Sequence, residues 1–585
     1  MPEFKNPQQE PGMEQRVLLV FLLTFVVIML FQAVFRKYAP APPPQPALNE
    51  THRPAPTSAT AGTAPQAAAQ ATTPAKISGT KLASAEAETV VENDLYRITF
   101  TNRGAQVKSW ILKKFDDDHA RPLELVNRLA AEKYGFPLSL WTYDENQRNK
   151  INAVLYVASA SGRLSAPATL SFEYADADES VRKVFRFDHS YLVEVETSVL
   201  TKGSAVTAFP MWPSGFGDQI TPAGYAATRI EWQFNSAIER TTFKKVSGGS
   251  TVRGPFDWVG VSDQYFAAVF LPDDPEDAVT VTLRNPIEIP KDARNPQEST
   301  KVDTLGFAAG ALGAATRGRM YVGPKELKTL ESVAVPTITG TTPDLRGLIN
   351  FGFFGFIARP LFIWLRWTYS APYLGVHNWG WAIVVQTLII NLALLPLRVS
   401  SMKSALKMQR IQPQMNAIKE KYKKYNIRDP RRQEMNAEIG ELMKREGVSP
   451  VGGCLPMLIQ MPFLFAYYSM LGSALDLRHA PWLWIRDLSS PDPYHLLPIA
   501  IIVTGLLTQR MTPQAGIDPS QQKMMNLMMP VMFGVISFNL AAGLCLYWME
   551  GSVIAIVQQA LMNRTGLGQE MRAIALKRAR KREKK

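Results

Sequence analysis

Apolar residues are concentrated in two parts of the 585-residue chain, one near the N-terminus and one beyond residue 345, with a long polar block between them. Near the N-terminus, residues 17–35 form a 19-residue apolar run interrupted only by Thr24 and Gln32. At about 1.5 Å per residue, this run is long enough to cross the hydrocarbon core of a bilayer, which is about 30 Å thick. Residues 1–37 are therefore predicted to form a cytoplasmic N-terminus and a first transmembrane span that is retained as an anchor.

Two different patterns follow this first apolar run. Residues 38–85 are rich in Pro, Ala, Thr and Gln, a composition typical of a disordered linker. Across residues 86–335, short stretches of alternating apolar and polar residues are separated by Gly, Pro, Asn and Asp. This period of two predicts an antiparallel β-sandwich, uninterrupted by helices until a short closing helix near residue 324. The Asp and Glu residues of this region show no spacing typical of a glycosidase, so a binding or scaffolding role is favoured.

The second apolar part begins with a segment that carries charges. Residues 345–369 are apolar and aromatic, but they include Arg346, Arg359 and Arg366, with Pro360 in the middle. Arginines are costly in the centre of a bilayer and are tolerated at its surface. The segment is therefore predicted to be an interfacial amphipathic helix rather than a span.

Five further apolar runs follow, and they predict a five-span core over residues 379–562. The first begins with Trp379 and Trp381, whose indoles suit the headgroup region. The runs lie at residues 379–397, 454–475, 496–508, 524–540 and 541–562. With the N-terminal anchor they give six spans. The predicted fold is thus an α-helical polytopic membrane core plus a periplasmic antiparallel β-sandwich domain.

Basic residues cluster in two segments beside these spans. Residues 398–447 contain 13 Lys and Arg against six acidic residues, and residues 563–585 contain nine against two. Residues 398–450 are predicted to form a helical hairpin, and residues 563–585 form a basic tail. The hairpin is predicted from a 3-4-3-4 spacing of apolar residues in a first helix, followed by a second helix with its own apolar residues, which are Met408, Ile411, Met415, Ile418 and Tyr422, then Met435, Ile439 and Leu442. Short basic loops stay in the cytoplasm, and four spans separate the two clusters, so both are predicted to be cytoplasmic. Counting back two more spans predicts a cytoplasmic N-terminus as well, with the β-domain outside. The clusters also predict contact with anionic phospholipid, with the ribosome as a further partner.

Several classes of chemistry are disfavoured by what the sequence contains. The two cysteines, Cys454 and Cys545, stand in apolar runs and have no metal-ligand spacing, and the six histidines are scattered singly. The chain has no GxxxxGK[ST], HExxH or CxxC pattern. These features argue against a nucleotide-driven pump and a zinc protease, and no catalytic residue, cofactor or metal is predicted.

Polar residues inside the predicted spans are the candidate functional residues. Such side chains are costly in lipid unless they face a hydrated cavity. Hydrogen bonding between helices is the alternative explanation, and the sequence leaves both open. The candidates are Gln386, Thr387 and Asn391 in the second span, Gln460 in the third, and Tyr547, Trp548 and Glu550 in the sixth. Gln386 and Glu550 each follow the outer start of their span by about seven residues, about 10 Å, so they are expected to face each other.

Three segments of this region resemble signatures of the YidC-type membrane protein insertases. They are residues 407–413 (KMQRIQP), 450–462 (PVGGCLPMLIQMP) and 543–548 (GLCLYW). The order of anchor, periplasmic domain, interfacial helix and five-span core resembles the Gram-negative branch of the family. The resemblance implies a hydrophilic intramembrane groove, open to cytoplasm and lipid and closed outside. It also implies that the chain inserts and helps fold nascent inner-membrane proteins, alone or with the Sec translocon, without making or breaking a bond.

The resemblance leaves the charge of this groove open. The family usually has an arginine twelve residues after the tryptophan that corresponds to Trp379, whereas this chain has Asn391 there. Glu550 stands where the family more often has an apolar residue. A solute transporter is the alternative function, because a transporter also needs a polar cavity, although the spans show no obvious inverted repeat.

Overall fold

The computed structural model describes residues 80–573, except for 293–294, 313–314, 336–343, 373–374, 426–428, 449–454, 512–518, 567 and 571–572. Several predictions lie outside the described residues. They concern the N-terminal span, nearly all of the linker, the start of the motif at residues 450–462 and most of the basic tail.

Twenty strands form the β-domain in the described part of the chain. They are β1 (Glu88–Glu92), β2 (Tyr96–Thr101), β3 (Gln106–Asp116), β4 (Pro122–Glu124), β5 (Leu140–Trp141), β6 (Val157–Ala158), β7 (Gly162–Ser165), β8 (Ala168–Ala175), β9 (Glu179–Phe187), β10 (Leu192–Thr201), β11 (Ser204–Ala205), β12 (Phe209–Trp212), β13 (Arg229–Phe234), β14 (Ala237–Thr242), β15 (Ser250–Arg253), β16 (Trp258–Ser262), β17 (Phe266–Pro272), β18 (Ala278–Asp292), β19 (Asn295–Ala311) and β20 (Thr316–Pro324).

These strands form three sheets, in the orders β4-β3-β2-β1-β7, β14-β13-β16-β17-β20-β10-β9-β8-β6 and β15-β18-β19-β12-β5, with β11 beside β10. The pairing is antiparallel, as the sequence predicted, except for the parallel pair β1 and β7. The first two sheets share one core, in which the ring of Phe100 lies 5.1 Å from that of Phe185. Alternate residues of β2, Tyr96, Ile98 and Phe100, are buried, because successive side chains of a strand point to opposite faces.

The β-domain contains helices that the sequence pattern did not predict. They are α1 (Arg128–Tyr134), α2 (Glu145–Ala153) and α3 (Pro222–Ala227), followed by the predicted closing helix α4 (Leu327–Glu331). The side chains of Asn127, Asp144 and Thr221 cap the first three by accepting backbone N–H bonds. Helices of six to nine residues are too short to show a 3.6-residue period, so the expectation of uninterrupted strands was wrong.

The remaining helices form the C-terminal region. A 3₁₀ turn at Leu345–Leu348 precedes α5 (Gly355–Ser370), α6 (Trp379–Ala393), α7 (Leu395–Lys421), α8 (Arg431–Arg445), α9 (Leu455–Ser473), α10 (Leu496–Met511), α11 (Pro519–Ser537) and α12 (Ala542–Arg564), with a second 3₁₀ turn at Leu475–Leu477. Helix α5 falls in the segment 345–369 that was predicted to be an interfacial helix, but it begins ten residues later than that segment, and it contains Pro360. One of its faces is buried in the core, whereas Phe356, Ile363 and Trp367 are exposed.

The described helices confirm fewer spans than the sequence predicted. By length and composition, α12 alone is long and apolar enough to cross a bilayer, and the pair of α6 and α7, bent by 46°, counts as a second candidate. The helix α10 and the segment Asn526–Ser537 of α11 are apolar but shorter. The chain therefore combines mostly antiparallel sheets with a helical region, and six spans remain a prediction.

The predicted second span breaks at Leu394, so its last residues belong to the helix that continues into the hairpin.

The predicted hairpin is formed by α7 and α8. Its hydrophobic seam includes Ile411 and Met415 of α7 and Met435, Ile439 and Leu442 of α8. These are residues that the sequence spacing placed on facing sides. Lys421 forms an ion pair with Glu438 across the hairpin, with 3.2 Å between Nζ and Oε2.

The loop after α9 contacts the β-domain. The guanidinium of Arg478 lies over the rings of Tyr265 and Phe266, 5.6 and 5.5 Å from their centroids. Nearby, Gln264 donates a hydrogen bond of 2.7 Å to the carbonyl of Gly472. These contacts join the β-domain to the helical region beside the end of α9.

Candidate substrate groove

A cavity of about 310 Å³ lies within the helical region, bordered by α6, α7, α9, α10, α11 and α12. One side is polar, because amide, hydroxyl and guanidinium groups reach it. The lining residues from α10 and α11 are mostly apolar, except for Thr508 and Gln509. The lining residues are Asn391, Arg398, Gln460, Leu464, Ile501, Gly505, Thr508, Gln509, Met529, Pro530, Phe533, Tyr547, Trp548, Gly551, Ser552 and Ala555.

Helix α6 carries three of the predicted site residues on its buried face. The side chain of Asn378 caps the helix by accepting a bond from the N–H of Trp381. At the same end, a Cβ at position 380 would lie 2.1 Å from Cδ1 of Trp482, so only glycine allows the indole to pack there. Trp482 is buried and is paired with Ile485 by two backbone hydrogen bonds. The loop after α9 therefore covers this end of α6.

Gln386 lies in the contact between helices and not in the cavity. Its side chain is fully buried. The amide Nε2 donates a bond of 2.9 Å to the carbonyl of Leu361 in α5, and Oε1 accepts a bond of 2.5 Å from the hydroxyl of Tyr467 in α9. Both polar atoms of the amide are thus bonded to α5 and α9, and none of the described hydrogen bonds joins Gln386 to Glu550.

Thr387 and Glu550 are polar residues outside the cavity lining. The hydroxyl of Thr387 donates a bond of 2.7 Å to the carbonyl of Ile383, one turn earlier in the same helix. The carboxyl group of Glu550 lies close to Thr387. Its Oε2 is buried and has no hydrogen-bond partner among the described residues. The acid that the sequence predicted to lie within a span is close to Thr387.

One end of the cavity is formed by a network of amides around one arginine. Arg398 donates a bond of 3.0 Å to Oδ1 of Asn391 and a bond of 2.8 Å to Oε1 of Gln558. The amide of Gln558 also donates a bond of 3.3 Å to the carbonyl of Asn391. The sequence assigned Arg398 to the cytoplasmic hairpin and so missed it as a site residue. The sequence did contain a signal for this contact, because Arg398 follows Asn391 by seven residues, which is about two helical turns.

Gln460 and two aromatic residues complete the polar side. Gln460 of α9 donates a bond of 2.8 Å to the hydroxyl of Tyr547 in α12. Trp548 packs against Phe533 of α11, with 4.9 Å between ring centroids. Of the seven predicted residues, Asn391, Gln460, Tyr547 and Trp548 line the cavity, whereas Gln386, Thr387 and Glu550 do not.

The chemistry of the site is that of hydrogen bonding. In the part of the chain that the structure describes, no group of three or more His, Cys, Asp or Glu residues is arranged to hold a metal ion. Cys545 is buried in α12, with its thiol directed at the carbonyl of Ser537. The arrangement can solvate and position a polar segment within an otherwise apolar bundle.

Comparisons with known proteins identify the family. Residues 88–364 match the YidC periplasmic domain, and residues 371–569 match the family described as 60Kd inner membrane protein. The membrane protein insertase YidC of Geobacter metallireducens is 30% identical, with 94% of this chain and 99% of that protein covered. The corresponding protein of Geotalea uraniireducens is 31% identical at the same coverage. A solved structure of an active YidC insertase covers 84% of this chain and 95% of its own, at 16% identity and a TM-score of 0.34.

These matches span both the β-domain and the helical region, and they favour membrane insertion over solute transport. The chain therefore belongs to the YidC family of membrane protein insertases, inner-membrane proteins that act on nascent membrane proteins.

Proposed function

We propose that the cavity is the groove through which this insertase passes the polar flank of a nascent membrane protein. The observation that carries the proposal is a 310 Å³ cavity with amide, hydroxyl and guanidinium groups on its wall inside a bundle of apolar helices. Polar groups in such surroundings are retained where they face water or a polar ligand. Asn391, Gln460 and Tyr547 are the predicted residues that fulfil this condition.

The two sides of the cavity suit the two parts of a substrate. The polar side replaces water around a hydrophilic flank. The apolar side, which includes Ile501 and Met529, adjoins helices whose other faces are exposed, as at Leu527 and Val531 of α11. An apolar substrate segment can leave along this side into lipid. A charged residue costs about 2.5–3.5 kcal/mol at the centre of a membrane helix, so a hydrated path lowers the barrier without any covalent step.

Site-specific photocrosslinking tests this path with two matched pairs of positions. A photoreactive residue at Asn391 or Ser552 would face the cavity, whereas one at the neighbouring Leu392 or Val553 would face outward, since both side chains are exposed. A stalled nascent chain is expected to crosslink to the first pair with its polar flank. Crosslinks to Leu392 and Val553 alone would place the substrate outside the cavity and contradict the proposal.

We also propose the orientation that the basic segments predict, with cytoplasmic termini and residues 86–335 in the periplasm. The basic hairpin supports it, because Lys419, Lys421 and Lys423 are exposed there. Protease added to spheroplasts should cleave the β-domain. Protection of that domain, together with cleavage near residue 428, would contradict the orientation.

The proposed partners beyond the nascent chain are the Sec translocon, the ribosome and anionic phospholipid. Seven of the nine residues at 577–585 are basic, which supports binding to ribosomal RNA or lipid headgroups through charge. Removal of residues 577–585 should weaken ribosome co-sedimentation at low salt. Unchanged sedimentation would leave membrane retention as the role of the tail. Reconstitution with and without the Sec channel tests whether that partner is needed.

A further inference from the structure

An exposed leucine stands at the tip of the loop that covers one end of α6. The backbones of Trp482 and Ile485 exchange two hydrogen bonds of 2.8 Å, and these bonds close a tight turn. Leu483 and Trp484 are the two residues at the tip of this turn. The side chain of Leu483 is 66% exposed, so the turn presents an apolar group outside the packed bundle.

The backbone of this turn is poorly suited to leucine. Leu483 has a φ of +49°, in the left-handed region that favours Gly, Asn and Asp. A bulky side chain in this region is strained, and such strain is concentrated at functional sites. Packing within the described chain offsets little of the strain, because most of the side chain is exposed. A contact outside the chain would give the leucine a physical reason.

The tip of the turn continues an exposed stripe of α6. Trp381, Leu388 and Leu392 are spaced by seven and four residues, so they lie on one face of the helix, and all three are exposed. In the predicted second span, this face borders lipid. The ring of Trp381 lies 5.7 Å from that of Trp482, which immediately precedes Leu483. The apolar stripe therefore extends from the helix to the turn.

Indoles surround the base of the turn. The ring of Trp482 lies 5.7 Å from that of Trp381 and 5.8 Å from that of Trp484. The indole N–H of Trp484 donates a bond of 3.2 Å to Oδ1 of Asp492. Tryptophan is enriched at membrane–water interfaces, because its ring is apolar and its N–H is polar. Three adjacent indoles thus support an interfacial position for the turn.

We propose that the turn at residues 481–485 is a lipid anchor, in which Leu483 and Trp381 insert into the outer leaflet of the membrane. The inference rests on the proposed orientation, which puts the start of α6 on the periplasmic side. Trp482 lies against Gly380, so an anchor at the tip holds the loop over this end of α6. The partner is phospholipid, because the turn continues the face of α6 that borders lipid.

Fluorescence quenching in vesicles of phosphatidylethanolamine and phosphatidylglycerol tests the anchor in the full-length protein. A fluorescent amino acid at position 483 should be quenched by bromine on the acyl chains and protected from iodide in the water. The same probe at position 486 is the matched control, because Arg486 is exposed in the same loop and should meet iodide. Iodide on both sides of the bilayer makes this result independent of orientation.

Two outcomes of the quenching experiment would overturn the proposal. Equal quenching of both positions by iodide would place the tip in water. Protection of position 483 from both quenchers would mean that a second copy of the protein covers it, since the vesicles contain no other protein. Iodide on one side tests the orientation separately, with a probe at Lys423 of the hairpin. Quenching of positions 423 and 486 from the same side would refute the orientation and leave the lipid contact to the bromine result.

A substitution at the tip separates lipid contact from backbone strain. Leu483→Asn removes the apolar side chain but suits the left-handed backbone better, so its two effects on the turn have opposite signs. If lipid holds the tip, the bonded amides of Trp482 and Ile485 should exchange hydrogen on the order of threefold to tenfold faster in vesicles, as for a partly buried leucine. Arg486→Asn should leave this exchange unchanged. Slower or unchanged exchange in Leu483→Asn would show that only strain was relieved, and would overturn the proposal.

Discussion

The phenol ring of Tyr467 stacks on that of Tyr547, with ring centroids 4.0 Å apart and an angle of 11° between the planes. The two hydroxyl groups have different environments. That of Tyr467 donates to the fully buried Gln386, whereas that of Tyr547 accepts from Gln460 at the cavity. The stacked pair thus joins the buried contact around Gln386 to the polar cavity.

Phenylalanine substitutions should separate these two environments. Tyr467→Phe leaves Oε1 of Gln386 buried without its donor, and we expect a loss of about 1–3 kcal/mol in the free energy of unfolding. Tyr547→Phe removes an acceptor whose partner, Gln460, can bond to water instead, so the loss should stay near 1 kcal/mol. Denaturant titration in detergent micelles checks the order. A larger loss for Tyr547→Phe would mean that the cavity is dry.

Substitution of Glu550 should affect substrates according to their polarity. Glu550→Leu removes a polar group beside Thr387, and we expect it to impair substrates with polar translocated tails more than those with short apolar tails. Glu550→Gln should be milder, because an amide can still bond to Thr387 and only the charge is lost. Insertion of both substrate types into reconstituted vesicles is the measurement. If the Leu variant inserts both equally, Glu550 is a bystander and the groove rests on Asn391, Gln460 and Tyr547.

The core helices could be predicted from sequence because their apolar runs are long. The run at residues 496–508 begins at the first residue of α10, and the run at 541–562 begins one residue before α12. The seam of the hairpin was predicted for the same reason, since its 3-4 spacing repeats through Ile411 and Met415. Short helices in the β-domain offered no comparable period.

The composition of the groove was harder to predict because it depends on partners from other helices. Spacing correctly placed Gln386, Thr387 and Asn391 on one face of α6, and all three are buried. Only the fold shows that Tyr467 binds the first of them and Arg398 the last. Arg398 was missed because a basic residue at the end of a span is ordinarily assigned to the cytoplasmic surface.

The contact between the β-domain and the helical region should depend on Arg478. Its guanidinium covers the rings of Tyr265 and Phe266, a contact worth about 0.5–2 kcal/mol. Arg478→Ala should therefore speed hydrogen exchange of the backbone amides of Tyr265 and Phe266 several-fold, as roughly 1 kcal/mol corresponds to about fivefold. Arg486→Ala, an exposed arginine of the same loop, is the control. Equal exchange in both variants would show that Arg478 does not hold the contact.

The stability of the β-domain should rise with pH because of Lys183 in β9. Its side chain is fully buried, and its Nζ donates to the carbonyls of Gly104, Ala105 and Leu138 at 2.7, 3.1 and 2.9 Å. Burial disfavours the charged form and lowers the pKa of Lys183 from 10.5 to about 7. Between these two values the unfolded chain binds a proton that the folded domain does not, so stability increases as pH rises.

Hydrogen exchange of strand β9 in the full-length protein between pH 7 and 9 measures this effect, after correction for the intrinsic exchange rate. We expect the opening free energy to rise by up to about 1 kcal/mol per pH unit from this group. Lys183→Met removes the titrating group, so it should flatten the slope even though it leaves three carbonyls without a donor. A slope that is the same in both proteins would show that Lys183 stays charged in the folded domain, held by its three carbonyl partners.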